Sequence, residues 1–245
     1  QNMKKIAFDQ MYENEISHAW YIGTRELMLS MIKPYLKKNS KVLDAGSGTG
    51  GTLVALKKVG ISNLYGIDKS AYAITLSKKR GLKNLKLGDI NKIPFDNETF
   101  DLVVCLDVLY HKGVNTKQAL SEVFRVLKKG GIFYSEEPAY EWLKSKHDQA
   151  IETKTRFTKK ILVNVFSKAG FKKIKSTYYN SFFLIPIALL RIKKKIFNSK
   201  EISSDVEKLS PIFNLLLLLS LRIEKKILNI TNIPFGISVI NIWKK

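Results

Sequence analysis

The 245-residue sequence predicts an α/β fold, a doubly wound and mostly parallel sheet with helices on both faces, from three observations. Short apolar runs alternate with helical patterns through the middle of the chain, the order that a parallel sheet with crossover helices requires. One run, Val42-Leu43-Asp44-Ala45, opens directly into Gly46-Ser47-Gly48-Thr49-Gly50-Gly51, a glycine turn that leads into a helix. About one βαβ unit later, Leu64-Tyr65-Gly66-Ile67-Asp68 reads as a second short strand ending in an acid. Glycines at 46, 48 and 50 let the backbone turn sharply and present bare N–H groups to a ligand that a Cβ would keep away. A carboxylate at the end of the second strand stands where it can accept both hydroxyls of a ribose. The spacing is that of a mononucleotide-binding half-fold.

Ahead of the first strand, residues from about Asp9 to Leu36 read as one helix, with Trp20, Leu27, Met28 and Met31 on its apolar face and Pro34 near its end. After the second strand come Gly88-Asp89-Ile90 and the apolar strand Phe100-Asp101-Leu102-Val103-Val104-Cys105. Glu122 to Gly131 supplies a further helix and a glycine turn. From Phe157-Thr158 the pattern fits a helix through Ile161, Leu162, Val165 and Phe166 that Gly170 closes, and Lys172 to Tyr179 reads as a strand. Gly236 to Trp243 is the last strand candidate.

In this order the motifs resemble those of the class I, Rossmann-like S-adenosylmethionine-dependent methyltransferases, of the methyltransferase type 11 kind, over about residues 40 to 137. Asp44-x-Gly46-x-Gly48-x-Gly50 departs from the G-x-G-x-x-G fingerprint built around a pyrophosphate, and an acid beside the loop suits an ammonium group better than a dianion. The resemblance implies a Rossmann-like seven-stranded sheet, its last strand antiparallel between the fifth and sixth. It divides the chain into an N-terminal helical lid (1–38), a cofactor-binding core (39–180), a helical insertion (181–235) and the last strand (236–245). S-adenosyl-L-methionine is the implied cofactor and S-adenosyl-L-homocysteine the product.

Ligands of such sheets bind at the carboxyl ends of the strands, so Asp44, Asp68, Asp89 and Asp107 are expected to converge on one crevice. The resemblance assigns cofactor contacts to Asp44, Gly46, Ser47, Gly48, Gly50, Asp68, Lys69, Asp89, Ile90 and Leu106. Asp89 would accept from the adenine amine and Ile90 would pack on the ring, unless Gly88-Asp89 is only a turn. From the lid come Trp20, which is a cofactor contact or plain core, and Arg25, which holds the methionyl carboxylate or pairs with an acid such as Glu26. Asp101 is read as structural.

Displacement at a sulfonium needs alignment more than a base, but a hydroxyl acceptor must shed its proton. His111 is therefore the first catalytic candidate, and equally a satisfied histidine on a helix edge. His147, beside Asp148, is the second, although neighbours on a helix point about 100° apart and need not form a dyad. Glu136 or Glu137 could instead bind an amine acceptor. No metal site is expected, because the three histidines lack ligand spacing and Cys105, the one cysteine, lies in an apolar strand.

The insertion carries Phe182 to Leu190 followed by Arg191 and Lys193-Lys194-Lys195, then Ile212 to Leu221 followed by Arg222 and Lys225-Lys226. Each apolar run is about half of the roughly twenty residues that span a bilayer. Greasy runs flanked by lysines fit an anionic membrane surface, a cap on the sheet or a homodimer interface. Lys plus Arg number 42 against 21 acids, a net +21 that points to an anionic partner or to a plain lysine bias. Nucleic acid is the weaker partner, since Leu106-Asp107-Val108-Leu109 stands where base-amino methylation requires an Asn/Asp-Pro-Pro-aromatic tetrapeptide. No secretory signal follows Met3-Lys4-Lys5, so a cytoplasmic protein, peripheral at the inner face of the membrane, is expected. The expected function is methyl transfer to a hydroxyl or amine of a small or lipid-attached acceptor. A nucleic-acid methyltransferase and a non-catalytic cofactor-binding adaptor are the alternatives.

Overall fold

A computed structural model of the protein describes residues 2–145, 148, 152–196 and 210–245. In chain order the elements are α1 (Asn2–Asn14), α2 (Ala19–Ile32), β1 (Val42–Ala45), α3 (Gly51–Lys58), β2 (Leu64–Asp68), α4 (Ala71–Lys79), β3 (Asn84–Leu87) and β4 (Phe100–Leu106). Then follow α5 (Thr116–Val126), β5 (Leu127–Pro138), α6 (Lys159–Lys168), β6 (Lys172–Tyr179), α7 (Leu184–Ile196), α8 (Pro211–Ile230) and β7 (Ser238–Lys244).

The seven strands form one sheet in the order β3-β2-β1-β4-β5-β7-β6. β1 is parallel to β2 and β4, and β5 is parallel to β4. β7 runs antiparallel to both β5 and β6, as expected. Alternate residues of each strand enter opposite cores, the period-two consequence of the pleat. Val103, Cys105 and Phe133 pack with Leu120, Val123, Leu162 and Phe166 of α5 and α6. Leu102, Val104 and Tyr134 pack with Leu27, Met28, Leu53, Leu56 and Leu228 of α2, α3 and α8. Cys105 is core, and Asp101 is structural: it accepts from the backbone N–H of Lys41 and pairs with Lys128 at 2.8 Å.

The N-terminal region departs from the expected single helix. It breaks into α1 and α2, and His18 caps the second by accepting from Trp20 N–H through Nδ1 at 3.2 Å. The break turns Glu15 inward, where it is 6% exposed and gripped by arginines, so ion pairing outweighs helix continuation there.

Within the insertion, α8 lies along α2. Gly23 makes that approach feasible: a Cβ there would stand 2.5 Å from Leu221 Cδ1. Leu221 and Leu228 are buried, and Arg222 and Lys225 both reach Glu26, at 2.6 and 3.0 Å. Glu26 thus ties α2 to the insertion. Among the described residues no helix is long and apolar enough to cross a membrane.

Candidate active site

The order of the sheet reverses between β1 and β4, which opens a crevice at the carboxyl ends of those strands. On one side of it Gly46, Gly48 and Gly50 all adopt positive φ, +95°, +51° and +86°. Gly46 has no room for more: a Cβ there would meet Val108 Cγ2 at 2.3 Å. Across the loop, Asp68 Oδ2 accepts from Gly48 N–H at 2.9 Å and Oδ1 from Ser70 N–H at 2.8 Å, so the acid of β2 fixes the glycine turn. Burial drives the Asp68 pKa up, while those two N–H groups and the nearby His111 and Lys69 pull it down.

Asp44, at 2% exposure, sits at the front of the loop. Burial raises its pKa to about 8, helped by the charges of Glu15 and Asp68 and opposed by Arg25. A carboxylate held in such a place gains by meeting a cation. Next to it the Ser47 hydroxyl is buried without a hydrogen-bond partner. The N–H groups of Gly46, Ser47, Gly48 and Gly50 are spent on Ile67, Ser47 and Asp68 oxygens, so it is the orphaned hydroxyl and the two desolvated carboxylates that fit a ligand with an ammonium and a ribose, as S-adenosylmethionine has.

The remaining candidates are spread around this crevice. Lys69 and Asp89 pair with each other at 3.0 Å, and Asp89 also accepts from Asn91 N–H. Ile90 is buried in the core, and Leu106 is half-buried at the end of β4. Trp20 is half-buried with its ring 6.4 Å from that of Tyr179. Arg25 does not pair with Glu26. Its guanidinium binds the Glu15 carboxylate and backbone carbonyl and lies over Gly51, at the start of α3. His111 packs on Tyr110, ring centroids 4.2 Å apart, within electrostatic reach of Asp68. His147 lies outside the described residues, and its neighbour Asp148 is committed to Arg156 at 2.8 Å.

A second polar group lies at the ends of β4 and β5. Asp107 follows β4 with φ +54° and donates its N–H to Glu136 O at 2.8 Å. It is exposed, yet surrounded by enough protein that burial pushes its pKa up to about 6, against the pull of Arg156. That combination marks a group lining a cleft. Glu137 is spent on the fold, accepting from Leu109 and Tyr110 N–H at 3.0 and 3.2 Å. Glu136 accepts from the Tyr179 hydroxyl. A separate depression of about 590 Å³, lined by residues such as Leu29, Lys33, Val59 and Ile61, lies at the amino end of β2, away from all of these groups.

Residues 36–183 match the family described as a methyltransferase domain. The chain belongs to that family. A 24-methylenesterol C-methyltransferase of Arabidopsis thaliana is 34% identical over 48% of this chain and 33% of its own length. A sterol 24-C-methyltransferase of Schizosaccharomyces pombe is 32% identical over 56% of this chain and 36% of its own. The chain thus spans about a third of the length of the curated relatives it matches. Among solved structures, an S-adenosylmethionine-dependent methyltransferase of Archaeoglobus fulgidus superposes with a TM-score of 0.58 at 20% identity, covering 90% of this chain and 94% of that one. At that identity the likeness concerns the fold.

For a methyltransferase domain, this site holds two groups that the sequence reading passed over. Glu15 and Arg80 meet at 3.1 Å beneath the glycine loop, and Thr49 donates its hydroxyl to the same carboxylate. Nothing local marks Glu15, which sits in a polar stretch between two helices. Tyr12 stacks on Arg80 at 4.1 Å, and Met11 Sδ lies 3.3 Å from where a Cβ on Gly48 would be. Helix α1 therefore rests on the loop.

Proposed function

We propose that this chain is an S-adenosylmethionine-dependent methyltransferase that acts on a hydroxyl or amine of a lipid or lipid-attached acceptor at an anionic membrane surface. The observation that carries the reading is the pair Asp44 and Asp68 flanking a glycine loop, in a chain of the methyltransferase domain family. Asp44 would hold the cofactor's ammonium, Asp68 its ribose and the Ser47 hydroxyl the rest of the amino acid end. When bound, the cofactor supplies a methyl group already activated on a sulfonium. The chain's own part is then to align the acceptor and exclude water. Asp89 and Lys69 stand on the adenine side. His111, at the rim beside Asp68, is the group placed to receive an acceptor proton.

The lipid acceptor is supported by the names of the sterol relatives and by the insertion. Ile212, Leu216, Leu219, Ile223, Ile227 and Ile230 recur at helical spacing on the outer side of α8 and are all exposed, Ile230 to 87%. Ile185 and Leu189 of α7 add to them, at 70% and 63%. Around this surface are Lys226 and the Arg222 and Lys225 that share Glu26 of α2, while Glu224, the one acid among the described residues of the insertion, is buried. An apolar stripe with cations and no exposed acid suits the interface of an anionic bilayer.

Labelled S-adenosylmethionine incubated with a lipid extract and an aqueous extract tests the activity. Label in the organic fraction supports the reading, label in the aqueous fraction alone removes the lipid, and no label removes the activity. Flotation with phosphatidylglycerol vesicles tests the surface. Binding is expected to be lost on Leu216→Asp/Ile223→Asp, and unaltered flotation would overturn the membrane assignment.

A further inference from the structure

Between the carboxyl ends of β4, β5 and β6 and the inner side of α2 lies a polar group that the glycine loop does not employ and the fold satisfies only in part. Tyr134 and Glu136 share one face of β5, two residues apart, and Tyr179 of β6 donates its hydroxyl to Glu136 on that face. Tyr134 is fully buried and its hydroxyl has no hydrogen-bond partner. Asn180, also fully buried, leaves both atoms of its side-chain amide unpartnered. Orphaned buried polar groups are costly, about 1–3 kcal/mol each, so a fold that keeps them has a use for them. Asp107 lies beside Glu136, donating its N–H to the Glu136 carbonyl at 2.8 Å, and it is exposed in a left-handed backbone conformation. Its charge is felt by Tyr134, Glu136 and Tyr21, so the carboxyl groups and phenols form one cluster. The Arg156 guanidinium draws the Asp107 pKa down, and it is bound to Asp148 at 2.8 Å. The rings of Trp20 and Tyr179 flank the cluster.

Carboxylates with an unpartnered hydroxyl, walled by aromatic faces, are complementary to an ammonium group, which offers N–H donors to the oxygens and positive charge to the rings. A neutral hydroxyl would satisfy one oxygen and leave the negative charge unmatched. We propose that Asp107, Glu136 and Tyr134, backed by Trp20 and Tyr179, form a subsite for an aliphatic ammonium, so that the acceptor is an amine and not an alcohol. The ammonium gives one proton to the Asp107 carboxylate, and the freed nitrogen lone pair then takes the methyl group as its bond to the sulfonium breaks. The inference rests on the methyltransferase reading for what the subsite serves, but not for what it binds.

Titration calorimetry with hexylamine and 1-hexanol, two probes that differ in an ammonium against a hydroxyl, decides between them. It is run with saturating S-adenosyl-L-homocysteine, whose neutral thioether removes the sulfonium as a competing cation, and again without it. Hexylamine is expected to bind about tenfold or more tightly than hexanol. Asp107→Asn should abolish that preference. Tyr134→Phe, which removes only an oxygen without a partner in the fold, should weaken hexylamine binding while the melting temperature holds or rises. Equal affinities for the two probes, or a preference that survives Asp107→Asn, would overturn the subsite. Failure of S-adenosyl-L-homocysteine to bind would instead strike the methyltransferase reading, and the titration without it would still judge the ammonium site.

Discussion

Glu15 and Arg80, 65 residues apart in sequence, meet at 3.1 Å in a place where both are at least nine-tenths buried. Arg25 grips the other carboxylate oxygen, and Thr49 of the glycine loop donates to the oxygen that Arg80 holds. One carboxylate thus joins the turn before α2, the glycine loop and the end of α4. Removing it would leave two guanidinium groups buried without a counter-charge. Glu15→Ala is predicted to cost about 3–5 kcal/mol in urea unfolding. A loss below about 1 kcal/mol would rank the pair with exposed ion pairs.

Asp68 holds the N–H of Gly48 and of Ser70 and is assigned the ribose. Asp68→Ala should therefore disturb the loop and remove the ribose acceptor together. A loss of about tenfold or more in S-adenosylmethionine affinity is expected by calorimetry, from the about 1.5–3 kcal/mol of a hydrogen bond to a charged group. Unchanged affinity would remove the ribose assignment.

The raised pKa of Asp44, about 8 in the fold, gives two pH effects. An unfolded aspartate titrates near about 4, so between about pH 4 and pH 8 the unfolded chain has lost a proton that the folded chain keeps. The contribution of Asp44 to stability is therefore full below pH 4 and declines as pH rises toward 8. Asp44→Asn should flatten that decline in denaturation curves measured across the range. An ammonium bound beside Asp44 lowers its pKa, so cofactor binding at pH 7 should release a proton. Calorimetry in two buffers of different ionisation enthalpy would show it, and heats independent of buffer would count against an ammonium at Asp44.

Gly23 is the contact point between α2 and the insertion, with Leu221 packed where its Cβ would be. Gly23→Ala is predicted to push α8 outward at a cost of about 1–3 kcal/mol in thermal unfolding. Combined with Leu221→Ala, the two costs should sum to less than their separate values, because the second change clears the space that the first one fills. Strict additivity would mean that the helices do not meet there.

The sheet, its doubly wound order and the glycine loop were legible in the sequence because each is written in a short stretch. Period-two and period-3.6 patterns, a glycine at a positive-φ turn and an acid at a strand end depend on neighbours a few residues away. Hence the strands from Val42, Leu64, Phe100 and Lys172 fall where they were expected, and Ser238 to Lys244 inserts antiparallel between β5 and β6. Tertiary structure alone decided what lies between distant segments. The apparent helix from Asp9 to Leu36 breaks because Arg80 and Thr49 draw Glu15 inward, and no periodicity records that pull. Arg25 is taken by Glu15, and Glu26 by Arg222 and Lys225, choices set by which partner arrives when α8 docks on α2. The orphaned hydroxyl of Tyr134 is of the same kind. Its residue type and strand position are plain in the sequence, but whether a partner reaches it depends on side chains from β4, β6 and α2 that only the folded chain brings together.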